Sequence, residues 1–459
     1  MVLCLVASVG ALVLVGPRLS ELRGSVLGLG GDPYQTLWRF SAFAEAVSQR
    51  TLVIPGEPFR NFAPLPWLPL HVLFGEPLGY NLVWLLQFPL TALVTYGLAR
   101  FLGIPRASAA LVGLLVAFAP YRIGQSLGHF GAMQVFWIPL TMVALLWLLR
   151  RPSLPRTLLV AAAFIGASWT EHVLFLTTLV AAVLTITVFR HQAARILQTR
   201  RGVLLGVILF TLVGALGILP FRAELQDTAR SDSSLNPGTA QRLRFAPTAG
   251  TLFAPPRFHR FVRSPNLYGT PRDAVADRVH ALGLLAPVIA VAGLRKLWQD
   301  GQRQHFVLLG SLVAIGLFLA LAPRTSLGAQ VYDELPVVAA VRTVNRFLAL
   351  PALAVPLLAS IGLSRFPRKA WGVLAALLLI EILPASFPIQ ETVIPRAYAS
   401  LAQGPAGPLL EIPAAADYLV ASRAQYASVV HHRAILASNV FERVQPREQR
   451  QAALRIPVV

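Results

Sequence analysis

Charged residues are scarce in this chain. They make up 13% of its 459 residues, against about 25% in a soluble domain, while 55% of the residues are hydrophobic and the mean hydropathy is +0.62. One soluble core cannot hide that much apolar surface, because cores stop growing at about 250–300 residues. Long apolar runs recur instead, at lengths near the ~20 residues that cross a bilayer. The composition therefore predicts a membrane protein with several spans.

Cysteine and the common catalytic motifs are also nearly absent. Cys4 is the one cysteine, which excludes a disulfide within the chain. The N-terminus lacks a basic stretch and a small-residue cleavage site, so residues 1–16 are expected to remain as a first span rather than to be removed as a signal peptide. We find no Walker loop, no zinc-protease motif, no Cys/His metal spacing and no G-x-S-x-G nucleophile elbow.

Acidic residues are outnumbered two to one. The chain has 40 Lys and Arg against 20 Asp and Glu, and its pI is near 11.4. In a soluble chain this balance indicates nucleic-acid binding, but here the basic residues lie between apolar runs and form no continuous basic face. We therefore expect membrane lipids, and no nucleic acid, as partners. The sequence does not predict an oligomeric state.

Hydropathy predicts an all-α polytopic membrane protein with about eleven transmembrane or partly spanning helices. The predicted spans are residues 1–16, 80–99, 107–121, 131–149, 157–168, 173–189, 203–220, 281–294, 306–322, 346–363 and 370–384. Polar segments lie at 17–79, 221–280 and 385–459. We expect two domains, a transmembrane domain over 1–384 and a small α/β extracytoplasmic domain over 385–459.

Residues 157–189 decide the topology. As one helix they would measure about 50 Å, against a hydrocarbon core of about 30 Å, and Glu171 and His172 would lie mid-membrane, where ionisable groups are costly. A hairpin of two shorter helices avoids both problems. The loops on one side then contain one acid, Asp300, and fifteen basic residues: Arg100, Arg106, Arg150, Arg151, Arg156, Arg190, Arg195, Arg200, Arg201, Arg295, Lys296, Arg303, Arg365, Arg368 and Lys369. The positive-inside rule places these loops and the N-terminus in the cytoplasm and the C-terminus outside.

Two outer segments hold candidate site residues. Asp32 follows two glycines and precedes an apolar set at helical spacing, Phe40, Phe43, Ala44 and Val47, which predicts an amphipathic interfacial helix. Asp32 would either cap that helix or face a cavity as a base or metal ligand. His129 shares the next outer turn with Arg122 and Gln125, so it is either a satisfied interfacial histidine or part of a site.

Several short motifs resemble bacterial polytopic membrane glycosyltransferases of the GT-C fold class, which use polyprenyl-phosphate sugars. They are GGDPYQTLW at 30–38, NFAP at 61–64, YRIGQSLGH at 121–129 followed by WIPL at 137–140, VRTVNRF at 341–347 and PLLEIP at 408–413. The resemblance extends over nearly the whole chain. It implies an enzyme that transfers a hexose or pentose from a lipid-linked donor at the cell membrane.

The resemblance also implies roles for the acidic and histidine residues. Asp32 corresponds to the acidic residue of the first outer loop, a candidate catalytic base or acceptor ligand. His129, with Gln125 beside it, and the Glu171–His172 turn correspond to polar groups that position the acceptor.

Basic residues are implied to hold the lipid phosphate. Arg342 and Arg346 match the family pattern and Arg122 is a looser candidate. Arginine suits this task because its planar fork binds phosphate bidentately, although arginines at a helix start also reach the interface simply to solvate their charge. The spacing of four predicts that Arg342 and Arg346 share one helix face.

The sequence does not identify a metal site or a site for another cofactor. Metal-using branches of the family, which bind a divalent cation, carry paired acids, whereas Asp32 stands between Gly31 and Pro33. Direct displacement at an anomeric carbon needs one base, which suits a single prominent carboxylate better than the paired carboxylates of a hydrolase. Segment 251–258 is either an element attracted to anionic lipid headgroups or a flap over the donor phosphate.

A non-enzymatic transporter or flippase for a lipid-linked glycan is the alternative. Transporters place ionisable groups near the midplane, whereas here they gather at one face. The enzyme hypothesis makes a structural prediction: Asp32, His129, Glu171 and the Arg342/Arg346 pair should converge on one outward-facing cavity. In the tail, residues 409–413, 426–430 and 434–437 are predicted strands, and 417–420 belong to a predicted helix.

Overall fold

The computed structural model describes residues 2–49, 62–217, 238–253, 259–261, 281–334, 341–404 and 418–431. Within these ranges the chain is mostly helical, with one sheet of two short strands. The strands are β1 (Ser25–Leu27) and β2 (Ile389–Glu391). The α-helices are α1 (Val2–Val15), α2 (Asp32–Ser48), α3 (Leu68–Phe74), α4 (Leu78–Phe101), α5 (Arg106–Ala117), α6 (Pro120–Ser126), α7 (Trp137–Arg150), α8 (Leu154–Thr170), α9 (His172–Val188), α10 (Arg190–Leu197), α11 (Arg200–Gly217), α12 (Gly238–Phe245), α13 (Ala249–Phe253), α14 (Leu285–Gln299), α15 (Arg303–Leu321), α16 (Ser326–Glu334), α17 (Ala349–Leu363), α18 (Arg368–Glu381), α19 (Arg396–Ala402) and α20 (Tyr418–His431).

Six described helical segments are long and apolar enough to cross a membrane, or seven if α9 and α10, which meet at 82°, form one bent span. A helix lies at each of the eleven predicted positions, but α7 and α8 have only 14 and 17 residues, fewer than the ~20 that span a bilayer. The predicted count of eleven spans is therefore not confirmed. Large apolar side chains lie on the outside of the bundle, such as Phe210 on α11, which is 81% exposed. A membrane protein solvates such surfaces with lipid.

The predicted hairpin at Glu171 is confirmed. Glu171 has extended backbone (φ −171°, ψ 141°) between α8 and α9. The rings of Phe164 and Phe175, on either side of this break, have centroids 6.5 Å apart, so α9 returns along α8. Phe189, just beyond α9, lines a cavity together with Arg150 at the end of α7. The two helices thus start and finish at the same end of the bundle.

Helix α17 is the centre of the membrane bundle. It is buried on nearly every side, as expected of a helix that is apolar all round. It crosses α14 so closely that a Cβ on Gly293 would lie 2.0 Å from the carbonyl oxygen of Leu358, and one on Gly362 would lie 2.2 Å from that of Ile289. Glycine at both positions permits this contact, the usual role of small residues between membrane helices.

The described part of the tail packs on the segment between α1 and α4. β2 pairs antiparallel with β1, with Val26 opposite Gln390, and α20 lies against α2, with the rings of Tyr34 and Tyr426 6.0 Å apart. The strand predicted at 426–430 is wrong, because these residues belong to α20, while the helix predicted at 417–420 agrees with the start of α20 at Tyr418. The strands predicted at 409–413 and 434–437 lie outside the described residues.

Candidate functional site

Asp32 lies where two loops approach each other closely. Gly28 has φ +128°, and a Cβ there would lie 2.7 Å from the carbonyl oxygen of Leu127. Leu29 donates its backbone N–H to that same oxygen. The turn before α2 is therefore pressed against the loop after α6, which carries Gly128. Oδ2 of Asp32 would lie 3.5 Å from a Cβ on Gly128.

Asp32 begins α2 but does not cap it through its side chain. The N-cap residue is Gly31, and no side-chain capping hydrogen bond is present. The predicted helix is found, but its predicted apolar set does not form one buried face, since Phe40 and Phe43 are buried whereas Val47 is 48% exposed. The carboxylate of Asp32 instead faces the loop that contains His129.

Asp32 and His129 form the first pair of the site. Nε2 of His129 lies 3.3 Å from Oδ2 of Asp32, and the side chains are 16% and 31% exposed, respectively. Nδ1 of the same ring lies 3.0 Å from Oε1 of Gln125, whose side chain is fully buried. The imidazole is thus held between a buried amide oxygen and a partly exposed carboxylate.

Glu171 and Arg346 form the second pair. Nη1 of Arg346 donates to Oε1 of Glu171 in an ion pair whose side chains are 12% and 11% exposed. Arg346 lies in a 3-10 helix, Val344–Leu348, that leads into α17. The hydroxyl of Tyr121 donates to the backbone oxygen of Arg346 over 3.0 Å. A residue of α6, the hairpin break and the 3-10 turn before the central helix therefore meet here.

The two pairs belong to one cluster. A Cβ on Gly131 would lie 2.6 Å from the carbonyl oxygen of Thr170 and 3.3 Å from Cβ of Glu171, so the loop that carries His129 packs on the hairpin break. The charge of Asp32 also acts on the guanidinium of Arg346. We refer to Asp32, Gln125, His129, Glu171 and Arg346 as the polar cluster.

The other predicted site residues lie elsewhere or at the edge. Arg122 is 1% exposed; it donates to the carbonyl oxygen of Ala117 over 2.7 Å and lies 4.0 Å from the ring centre of Phe88, so its described contacts are internal. His172 is the first residue of α9, next to Glu171, and is half-buried.

Arg342 is not part of the polar cluster. It precedes the 3-10 helix of Arg346, is exposed, and lies 5.7 Å from the ring centre of Phe245 on α12. The prediction that Arg342 and Arg346 share one helix face is therefore wrong, because the helical conformation starts only at Val344. Arg244 approaches the same phenylalanine ring at 5.9 Å.

Two tyrosines of the site were not predicted as site residues. Tyr121 hydrogen-bonds the backbone of Arg346, and Tyr80 interacts electrostatically with Asp32 while its hydroxyl donates to the carbonyl oxygen of Leu27 over 3.3 Å. Both lie at the outer ends of predicted spans. A tyrosine there is also typical of interfacial anchoring, so position alone did not single them out.

In the described part of the chain, no three side chains drawn from histidine, cysteine, aspartate and glutamate are grouped so that they could hold a metal ion. The divalent metal allowed by the resemblance therefore has no ligand set to name among those residues. No protein-family model matches the chain, and no curated protein matches it either.

Proposed function

We propose that this chain is an integral membrane glycosyltransferase that moves a sugar from a polyprenyl-phosphate donor to an envelope glycan, lipid or protein acceptor on the outer side of the cell membrane. The observation that carries the proposal is the Asp32–His129 pair. It combines the most exposed carboxylate of the polar cluster with a histidine oriented by a buried amide. General-base catalysis needs such a group, partly solvated and fixed in direction.

The proposed reaction is a single displacement. The acceptor hydroxyl gives its proton to the Asp32–His129 pair, and its oxygen forms a bond to the anomeric carbon of the sugar. The bond from that carbon to the phosphate oxygen breaks, and polyprenyl phosphate leaves with the bonding electrons. One base suffices for this displacement, whereas hydrolysis through a covalent intermediate needs two carboxylates.

Arg342 is the group that we assign to the leaving phosphate. It is exposed and shares the ring of Phe245 with Arg244, so two guanidinium groups lie beside one aromatic ring near the start of a membrane span. Arg346 is a positioning residue in this proposal, since its charge is already matched by Glu171. Glu171 in turn fixes the hairpin break against the loop that carries His129.

The proposed orientation places the polar cluster outside. The helix ends far from this cluster are joined by the loops that hold the fifteen basic residues counted above, and positively charged loops stay in the cytoplasm. The N-terminus is then cytoplasmic and the C-terminus extracytoplasmic. A donor that presents its phosphate at the outer headgroup level would meet Arg342 there.

Transfer in detergent tests the function. Detergent-solubilised membranes of a strain that lacks this protein would supply the acceptor, and the purified chain would be added with a panel of polyprenyl-phosphate hexoses and pentoses. The expected result is donor consumption with release of polyprenyl phosphate. Asp32→Asn should slow that release by at least ~100-fold. Glu45→Gln, an exposed position on the same helix, removes the same charge as a matched control and should leave the rate unchanged.

The same experiment separates the enzyme from the flippase. A flippase moves its cargo across a bilayer and breaks no bond, so it gives no polyprenyl phosphate in detergent. If the chain restores envelope glycan in cells but releases no polyprenyl phosphate in detergent from any donor of the panel, the transporter alternative is favoured and the transferase proposal is lost.

A further inference from the structure

A cavity lies at the end of the bundle opposite the polar cluster. Its volume is about 230 Å³. Three of its polar lining residues, Arg150, Gln192 and His305, come from α7, α10 and the first turn of α15. Gln304 is the fourth polar residue, and apolar side chains, including Phe101 and Leu149, form the rest of the wall. The cavity is therefore amphipathic, with a cationic group on an apolar lining.

The guanidinium of Arg150 is fixed in this cavity. It stacks 3.7 Å from the ring centre of Phe101, and its Nη2 donates to the carbonyl oxygen of the same residue over 3.3 Å. Arginine has five N–H donors, and this is the one hydrogen bond that the structure describes for Arg150. A guanidinium group whose plane is held by stacking can bind a phosphate through two of its N–H groups at once.

The electrostatics around the cavity favour an anion. Arg150 is the charged group of the cavity lining, and its charge reaches the ring of His305. The loops predicted to lie at this end of the bundle carry fifteen basic residues and a single acid, Asp300. The carboxylate of Asp300 is already paired with Lys296 at 2.8 Å, so the electrostatic potential at this end of the bundle is strongly positive.

The position of the cavity points to a lipid rather than to a soluble anion. α10 turns 82° from α9. It is a short amphipathic helix that contains both arginines and apolar residues, which is typical of a helix lying at the headgroup level. Gln192 of this helix lines the cavity. Basic pockets between membrane helices on the cytoplasmic side are sites where anionic headgroups bind.

We propose that this cavity binds the phosphodiester headgroup of an anionic phospholipid, with the phosphate on Arg150 and the acyl chains along the apolar wall. The site is separate from the polar cluster. It does not depend on glycosyl transfer, so either proposal can fail without the other.

The test uses the purified full-length chain in a neutral detergent. Thermal unfolding and native mass spectrometry would be measured with added phosphatidylglycerol, with phosphatidylcholine and with inorganic phosphate. The expected result is retention of phosphatidylglycerol and a higher melting temperature with that lipid alone. Arg150→Gln should weaken its apparent affinity at least about tenfold, because a charge-assisted bidentate contact is lost.

Two further variants keep the test decisive. Arg151→Gln makes the same charge change one residue away, outside the cavity lining, and should stay within about twofold of the unmodified chain. Leu149→Trp fills the cavity without changing any charge and should abolish retention, so it decides the matter even if Arg150→Gln does not fold. The proposal would be overturned if the two phospholipids had equal effects, or if Arg150→Gln and Arg151→Gln lost affinity equally. Full stabilisation by inorganic phosphate would also overturn it.

Discussion

His129 is held against Asp32 by a buried amide. Nδ1 of its ring lies 3.0 Å from Oε1 of Gln125, whose side chain is fully buried. Nε2, on the other side of the ring, lies 3.3 Å from Oδ2 of Asp32. The orientation of the ring toward Asp32 therefore depends on Gln125.

Because Gln125 orients the ring of His129, the effects of variants at these two positions should not add. His129→Ala should lower turnover about 100-fold, and Gln125→Leu about tenfold, because the ring loses its orientation but keeps its chemistry. The double variant should be no slower than His129→Ala. Release of polyprenyl phosphate in the detergent assay measures all three. Losses that multiply in the double variant would show that Gln125 acts independently of the ring.

The Glu171–Arg346 ion pair predicts a strong coupling in stability. Both side chains are nearly buried, so Glu171→Gln or Arg346→Gln alone should cost about 3–5 kcal/mol, because each leaves an unmatched charge. The double variant should cost less than either single change. Thermal and denaturant unfolding in detergent would measure the cycle.

The exposed pair Lys296–Asp300 is the control for that cycle. Its atoms are 2.8 Å apart, but exposed i,i+4 pairs contribute only about 0.3–0.5 kcal/mol. Asp300→Asn should therefore change stability very little. Additive costs at Glu171 and Arg346 would contradict the coupling.

Glu76 predicts a pH dependence of stability. Burial raises the pKa of Glu76 to about 7 from 4.5, although the Tyr426 hydroxyl, which donates to this carboxylate, opposes the shift. A carboxyl whose pKa is raised on folding destabilises the folded state as pH rises from about 4.5 to about 7, and by a constant amount above that. Glu76→Gln removes this loss, so its melting temperature relative to the unmodified chain should increase across that window.

The neighbouring residue His71 changes the stability with pH in the opposite direction. Burial lowers the pKa of His71 to about 4, which makes the folded state more stable as pH rises from about 4 to 6.5. Nε2 of His71 lies 3.6 Å from Oε1 of Glu76, so Glu76→Gln also changes the surroundings of this ring, and the comparison is made in a His71→Gln background. The exposed variant Glu45→Gln should show no such trend. A Glu76→Gln difference that is flat between pH 4.5 and 7 would contradict the raised pKa.

Glu381 caps a helix that is distant in sequence. Its carboxylate accepts hydrogen bonds from the backbone N–H groups of Leu284 and Leu285, the latter at 2.9 Å, at the start of α14. Glu381→Ala should cost about 1–2 kcal/mol, as for the loss of a helix cap, while Glu381→Gln keeps an acceptor oxygen and should cost less. Glu391→Ala, at the exposed last residue of β2, is the control. Unfolding in detergent measures each, and equal costs for Ala and Gln would contradict the capping role.

Reporter fusions test the topology. α10 lies at the end of the bundle with the Arg150 cavity, whereas α20 packs on α2 beside the polar cluster. A fusion at residue 195 should report the cytoplasm and one at residue 430 the outside. Reports from the same side would remove the proposed common outer face.

The membrane class, the helix positions and the break at Glu171 were predictable from the sequence. Each depends on local properties, since an apolar run must form a helix in lipid and an ionisable pair within such a run forces a break. The number of full spans was not predictable in the same way. Hydropathy marks the apolar runs but does not give the length of the helix that each run forms, such as the 14 residues of α7.

Only the tertiary structure decided which side chains meet. The sequence nominated Arg342 and Arg346 equally, but Arg346 pairs with Glu171 and Arg342 rests on Phe245, because the chain becomes helical between them. Residues 426–430 have the composition of a strand, yet they pack as a helix against α2. Partner choice depends on burial and on the approach of distant backbones, as where Gly28 lets its loop touch Leu127, and no local pattern contains that information.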